Sequence, residues 1–280
     1  MVPLASGVLA LFAVAALNLV AGYVTEGRSR RAVIGLFGQY VAPQLVERMA
    51  HDPDNYPLES QNKELTILFA DIRGFTRMAE SMDPQQLRDY LNRFLTAMTE
   101  VIHDYNGTVD KYIGDAVMAF WGAPVDDPRH ADHAVAAAIA MQREVERLNR
   151  EFEALGWPPL AVGIGINTGV VRVGDMGSRL RRAYTVIGDA VNLAARLEGL
   201  SKKYELPIVI GEATRRSVQG IALQFVARSE VHGRSEPVGV WQPVPVDPDA
   251  YAPPASADEG PSVARSPFAG PAVARREPIA

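Results

Sequence analysis

Residues 107–121 read GTVDKYIGDAVMAFW. Two runs rich in Val, Ile, Tyr and Phe, Thr108–Tyr112 and Ala116–Phe120, flank the pair Gly114-Asp115. That pattern predicts a β-hairpin with the glycine supplying the turn geometry. A second acid, Asp71, ends another strand-like run, Leu65–Ala70, within LTILFADIRGFT. Two carboxylates on neighbouring strand ends suit a divalent cation, most simply Mg²⁺ beside a phosphate, and the backbone carbonyl of Ile72 is a natural further ligand. The competing reading makes Asp71 a cap on the next turn and Asp115 an ordinary turn residue.

Working outward, residues 84–105 carry an apolar stripe at helical spacing: Leu87, Tyr90, Leu91, Phe94, Leu95, Met98, Val101 and Ile102. Asp83 is placed to cap that helix, with Pro84 in its first turn. A second long helix is predicted over residues 130–152, a strand over 160–168, and a loop that becomes a helix over 187–204. Short strands follow at 208–210, 223–227 and 238–242. The order strand, helix, strand, strand, helix, strand predicts an α+β fold, a ferredoxin-like βαββαβ core with additional strands, spanning residues 63–243.

The flanks differ in character. Residues 2–24 carry no charge and are long enough to span a bilayer, while Arg28, Arg30 and Arg31 follow at once. The positive-inside rule then places the following domain on the cytoplasmic side of a cell or inner membrane, as a single-pass protein. A buried or coiled-coil helix is the competing reading of this Ala-rich run. With so little before it, the span reads as the last piece of a longer membrane protein with an extracytoplasmic sensor region. Residues 25–62 read as a juxtamembrane linker of two short helices interrupted at Gly38 and Pro43, then a polar loop. Residues 244–280, rich in Pro and Ala, read as a disordered tail.

The chain has 280 residues, 48% hydrophobic and 22% charged, with formal net charge −5. That balance supports an ordinary core and argues against a global nucleic-acid-binding surface, while leaving a single basic cleft open. With no cysteine, disulfides and thiolate metal sites are excluded. The histidines show no zinc spacing; His130 and His133 share a predicted helix but lack a third ligand. No Walker motif is present. The loop after Asp71 offers backbone N–H groups from Arg73 to Thr76 to phosphate oxygens, with Phe75 and Thr76 as substrate-facing positions. Asn192 and Arg196, four apart, share one helical face and can meet an oxygen-rich transition state, or are simply polar surface residues. Lys111 is a strand lysine in alternation with its neighbours, solvated by default but able to donate to a purine nitrogen. Thr185 can donate or accept. Arg172, Arg179, Arg181 and Arg182 surround an expected turn at residues 174–177, either a polyphosphate or subunit contact or a solvated tip.

Four segments in order, LTILFADIRGFT, VDKYIGDAVMAFWG, VGIGINTGVVRVGDMG and YTVIGDAVNLAARLE, resemble the successive motifs of class III nucleotide cyclase catalytic domains. The resemblance covers residues 63–243. It implies that Asp71, Ile72 and Asp115 hold two Mg²⁺ or Mn²⁺ ions per active site. It implies that Lys111 and Thr185 read adenine, since guanylate cyclases typically carry Glu and Cys at these places. Asn192 and Arg196 match the transition-state pair. Where the family often has Val-Lys-Gly to hold the triphosphate, this chain has Val231-His232-Gly233-Arg234. His232 is a poor substitute for a full charge near neutral pH, leaving Arg234 as the alternative.

The activity implied is adenylate cyclase: ATP to 3′,5′-cyclic AMP and pyrophosphate by attack of the ribose 3′-hydroxyl on the α-phosphorus. The sites would lie between two copies of the chain, each contributing acids to one site and Lys111, Thr185, Asn192 and Arg196 to the other. The alternatives are a guanylate cyclase, against which Lys111 argues, and a catalytically silent dimerisation or nucleotide-sensing domain, against which the intact acids, Asn192 and Arg196 argue.

Overall fold

A computed structural model describes residues 14, 60–178, 180, 182–232, 234 and 236–244. All but residue 14 of the expected membrane span, most of the juxtamembrane linker, and all but residue 244 of the Pro/Ala-rich tail lie outside these residues. Among the described residues no helix is long and apolar enough to cross a membrane.

The chain runs β1 (Gln61–Ile72), α1 (Phe75–Ser81), α2 (Pro84–Asp104), β2 (Thr108–Ile113), β3 (Ala116–Trp121), α3 (His130–Ala154), β4 (Val162–Gly177), β5 (Arg182–Ile187), α4 (Asp189–Lys203), β6 (Ile208–Gly211), α5 (Glu212–Ser217), β7 (Leu223–Ser229) and β8 (Val238–Pro243). The eight strands form one sheet in the order β2-β3-β1-β4-β6-β8-β7, with β5 pairing β4 off that path. The first four strands, ordered 2-3-1-4 and antiparallel throughout, are the ferredoxin-like unit. Only β4 and β6 pair in parallel.

Strand β3, AVMAFW, shows why the hairpin is so apolar. Val117, Ala119 and Trp121 enter the core beneath α2 and α3, while Met118 and Phe120 enter a second cluster with Leu65, Ile67, Val173 and Val186. A strand covered on both faces needs an unbroken apolar run rather than alternation. The Asp83 side chain accepts from the backbone N–H groups of Gln85 and Gln86, capping α2 as expected.

Helix α4 lies on the other face, against β4, and the contact depends on glycine. A Cβ at Gly165 would stand 2.1 Å from the Glu198 nitrogen and 2.5 Å from the Ala194 oxygen, both backbone atoms. This close approach explains the alternating glycines in VGIGINTG.

Three expectations need correction. The turn expected at residues 174–177 is strand: Gly174 pairs with Thr185 and Gly177 with Arg182, so β4 and β5 form a longer two-stranded arm. The loop after Asp71 contains a two-turn helix, α1, entered through Gly74 at φ 73°. Strand β2 does not alternate strictly: the register against β3 shifts between Val109 and Lys111, making Asp110 a bulge residue.

Candidate active site

Asp71 sits near the end of β1, paired with Gly163 of β4, and Asp115 lies in the β2–β3 turn after Gly114, whose φ is 67°. The turn folds the hairpin back along β1, bringing the two carboxyls into a side-chain hydrogen bond. Burial first, then this hydrogen bond and the charges of Asp115 and Glu198, push Asp71 up to about 7; the Ile72 N–H, 3.1 Å from Asp71 Oδ1, opposes them. Glu198 of α4 is also raised, by burial and Asp115, against the lowering effect of Arg73.

Two adjoining carboxyls that retain a proton well above the ordinary carboxylate range make a place where a cation is favoured over that proton. The donors are hard oxygens, so the residues present fit Mg²⁺ or Mn²⁺. The side-chain donors are only two: no group of three or more His, Asp or Glu side chains suited to a metal occurs among the described residues. His130 Nδ1 instead lies 2.7 Å from the Thr66 hydroxyl, and His133 Nδ1 lies 2.7 Å from Asp127.

Arg73 ties this corner together. Its guanidinium donates to the carbonyls of Ser201, at 3.1 Å, and Leu206, at 2.6 Å. Its backbone N–H donates to the Ala161 carbonyl at 2.8 Å. That N–H is therefore not offered to phosphate, and the expected stretch narrows to residues 74–76. Phe75 packs against the core, whereas Thr76 is exposed.

A second group forms where β2 faces β5. Lys111 Nζ donates to Thr185 Oγ1 at 3.1 Å. The Thr185 hydroxyl donates to Asp110 Oδ2 at 2.6 Å, and the Val186 N–H reaches the same oxygen at 3.3 Å. Lys111 Nζ also lies 2.9 Å from Asp110 Oδ1; the Lys111 side chain is 45% exposed, that of Asp110 only 1%. Sequence reasoning selected Lys111 and Thr185 but missed Asp110, because strict alternation would turn it to the opposite side from Lys111. Its place immediately before the lysine was the one available signal.

Asn192 is exposed and Arg196 half-buried, both on α4. Helical geometry of about 100° per residue puts Arg196 about 160° around the helix from Glu198. The helix thus turns Glu198 toward its own acid pair and the Asn192–Arg196 face elsewhere. His232 is exposed, whereas Arg234 ion-pairs with Asp189 at the start of α4. That pair borders a pocket of about 350 Å³, also lined by Asn167, Glu212 and Arg216. Of the arm arginines, Arg172 donates to Ser60 at 2.8 Å and Arg182 pairs with Asp175 at 3.1 Å; Arg179 and Arg181 lie outside the described residues.

The family described as "Adenylate and Guanylate cyclase catalytic domain" matches residues 58–242. The chain belongs to this family, the class III nucleotide cyclases. Over 220 residues it is 37% identical to an adenylate cyclase of Anabaena cylindrica, covering 76% of this chain and 42% of that relative. The chain thus spans less than half the length of that relative. Among solved structures it resembles the adenylyl cyclase CyaB from P. aeruginosa, with TM-score 0.64 and 38% identity over 68% of this chain and 97% of that one. It also resembles the guanylyl cyclase Cya2, with TM-score 0.60 and 33% identity over 67% of this chain and 95% of that one. The chain therefore carries a class III nucleotide cyclase catalytic domain.

Proposed function

We propose that the chain is an adenylate cyclase, forming 3′,5′-cyclic AMP and pyrophosphate from ATP at sites shared by two copies of itself. The observation that carries the substrate choice is the contact of Lys111 with Thr185 at 3.1 Å. The ammonium donates to adenine N1 and the threonine oxygen accepts from the neighbouring amine. Guanine presents the reverse pattern at those two positions.

Asp71 and Asp115, with the Ile72 carbonyl, hold Mg²⁺ or Mn²⁺, two per site. Bound there, the ions neutralise phosphate charge and lower the pKa of the 3′-hydroxyl. The N–H groups of residues 74–76 receive phosphate oxygens. Arg196 stabilises charge developing on the α-phosphoryl group, and Asn192 orients the ribose or phosphate. Arg234 takes the triphosphate role in place of His232 after leaving Asp189. Since α4 turns Arg196 away from its own chain's acids, a complete site takes the acids from one protomer and Arg196 from its partner.

The uncharged N-terminal stretch anchors the protein in a cell membrane, with the cyclase domain on the cytoplasmic side. The substrate reading is tested by product analysis of the full chain with ATP and GTP in Mg²⁺ or Mn²⁺. Cyclic AMP as the main product supports it; preferential cyclic GMP, or no cyclic product from a folded dimer, refutes it. The resemblance to a guanylyl cyclase makes GTP the required comparison.

A further inference from the structure

We infer that Asp110 is a specificity-determining positioning residue, which fixes the hydrogen-bond polarity of Thr185 and thereby selects a 6-amino purine over a 6-oxo purine. The inference rests on the adenine reading of Lys111 and Thr185 and extends it to a residue that does not touch the base.

A threonine hydroxyl does not by itself discriminate. It has one proton and two lone pairs, and its rotor turns to suit either an amine or a carbonyl. Here the rotor is committed. Asp110 Oδ2 takes the Thr185 proton at 2.6 Å, and the Lys111 ammonium fills one lone pair at 3.1 Å. An ionised carboxylate has no proton to return, so Thr185 has only an accepting lone pair to offer a ligand. A 6-amino group supplies the matching donor. A 6-oxo group would set two acceptors against each other.

Asp110 acts on Lys111 as well. With Oδ1 2.9 Å from Nζ, it keeps the ammonium beside Thr185 rather than free in solvent. The lysine still has a donor left for a ring nitrogen. Acceptor and donor are thus presented side by side, in the order the adenine edge requires.

The backbone explains how adjacent residues do this. On a regular strand Asp110 and Lys111 would project to opposite faces. The bulge at Asp110 breaks that alternation, so both side chains reach Thr185 of β5. The carboxylate is otherwise a poor choice for its surroundings: its side chain is 1% exposed. A buried carboxylate whose partners are the two base-reading residues and the adjoining Val186 N–H is explained by orienting them.

The test compares kcat/KM for ATP and GTP in the full chain. Asp110→Asn keeps size and shape but brings a donor, releasing Thr185 to turn. The ATP-to-GTP ratio should fall roughly tenfold, the worth of one reoriented hydrogen bond. In a Thr185→Val background, which has no hydroxyl to orient, the same change should leave the ratio unmoved. A second variant reads the effect with Asp110 intact. In Thr185→Asn the carboxylate should take the amide N–H₂ and leave the amide oxygen for the base, so ATP stays preferred.

A merely structural Asp110 would slow both substrates alike. An Asp110→Asn ratio equal to wild type, or Thr185→Asn accepting GTP as readily as ATP, overturns the inference while a wild-type ATP preference leaves the adenylate reading standing. A wild-type preference for GTP overturns the adenylate reading itself.

Discussion

Asp71 and Asp115 share a hydrogen bond between their carboxyls, joining the end of β1 to the tip of the β2–β3 hairpin. In the absence of a cation that bond retains a proton, with Asp71 raised from 3.8 to about 7. The folded chain therefore keeps this proton over a range where the unfolded chain has lost it. Stability of the metal-free protein should fall as pH rises from about 4 to about 7, and flatten above. Asp71→Asn should remove this component. Denaturant titrations should show the variant gaining on wild type between pH 4 and 8; a constant difference would contradict the shared proton.

Cation binding follows with the opposite sign. Mg²⁺ or Mn²⁺ must displace the proton, so binding strengthens as pH rises toward 7. The rise in melting temperature produced by saturating Mn²⁺ should be larger at pH 8 than at pH 6 in wild type, and absent in Asp71→Asn. An equal shift at both pH values would place the cation elsewhere.

Asp71→Ala and Asp115→Ala should each lower turnover by roughly a thousandfold or more while the protein remains folded, since each removes half of the side-chain donors. Near-wild-type kcat in either variant would remove the metal role assigned to that residue. Circular dichroism on the same samples separates lost chemistry from lost structure.

Arg196→Ala should lower kcat by roughly a hundredfold with little change in KM, because its contact strengthens as charge develops. A variant altered mainly in KM would make Arg196 a ground-state substrate contact.

Gly165→Ala tests the packing of α4. The new methyl would meet helix backbone, which does not rotate aside, so a loss of about 1–3 kcal/mol in unfolding free energy is expected. No measurable loss would mean that α4 stands farther from β4.

Much of this was legible in the sequence, and the reasons differ by element. The β2–β3 hairpin, the Asp83-capped α2 and the late strands follow from local periodicity and turn chemistry. So does the convergence of Asp71 and Asp115, because two strand ends flanking a hairpin have few places to go. The length of β4 was not legible: Gly174 and Gly177 look like turn residues, yet β5 pairs across them. Nor was the role of Asp110. Period-two reasoning assigns every residue a face, and a bulge is the event that cancels the assignment. Glu198 faces Arg73, and its second neighbour, the acid pair, depends on how closely α4 approaches Gly163 and Gly165, which no local pattern shows.

Under the proposed function one hairpin serves two sites: Asp115 at its tip would hold metal in one, and Lys111 would read adenine in the other. Mixing Asp71→Ala chains with Arg196→Ala chains tests it most directly. Each variant alone has two broken sites. A randomly mixed population contains heterodimers with one intact site, so cyclic AMP formation from ATP should recover to roughly a quarter of the wild-type rate. Verified heterodimers that remain as inactive as the separate variants would contradict a site shared between chains.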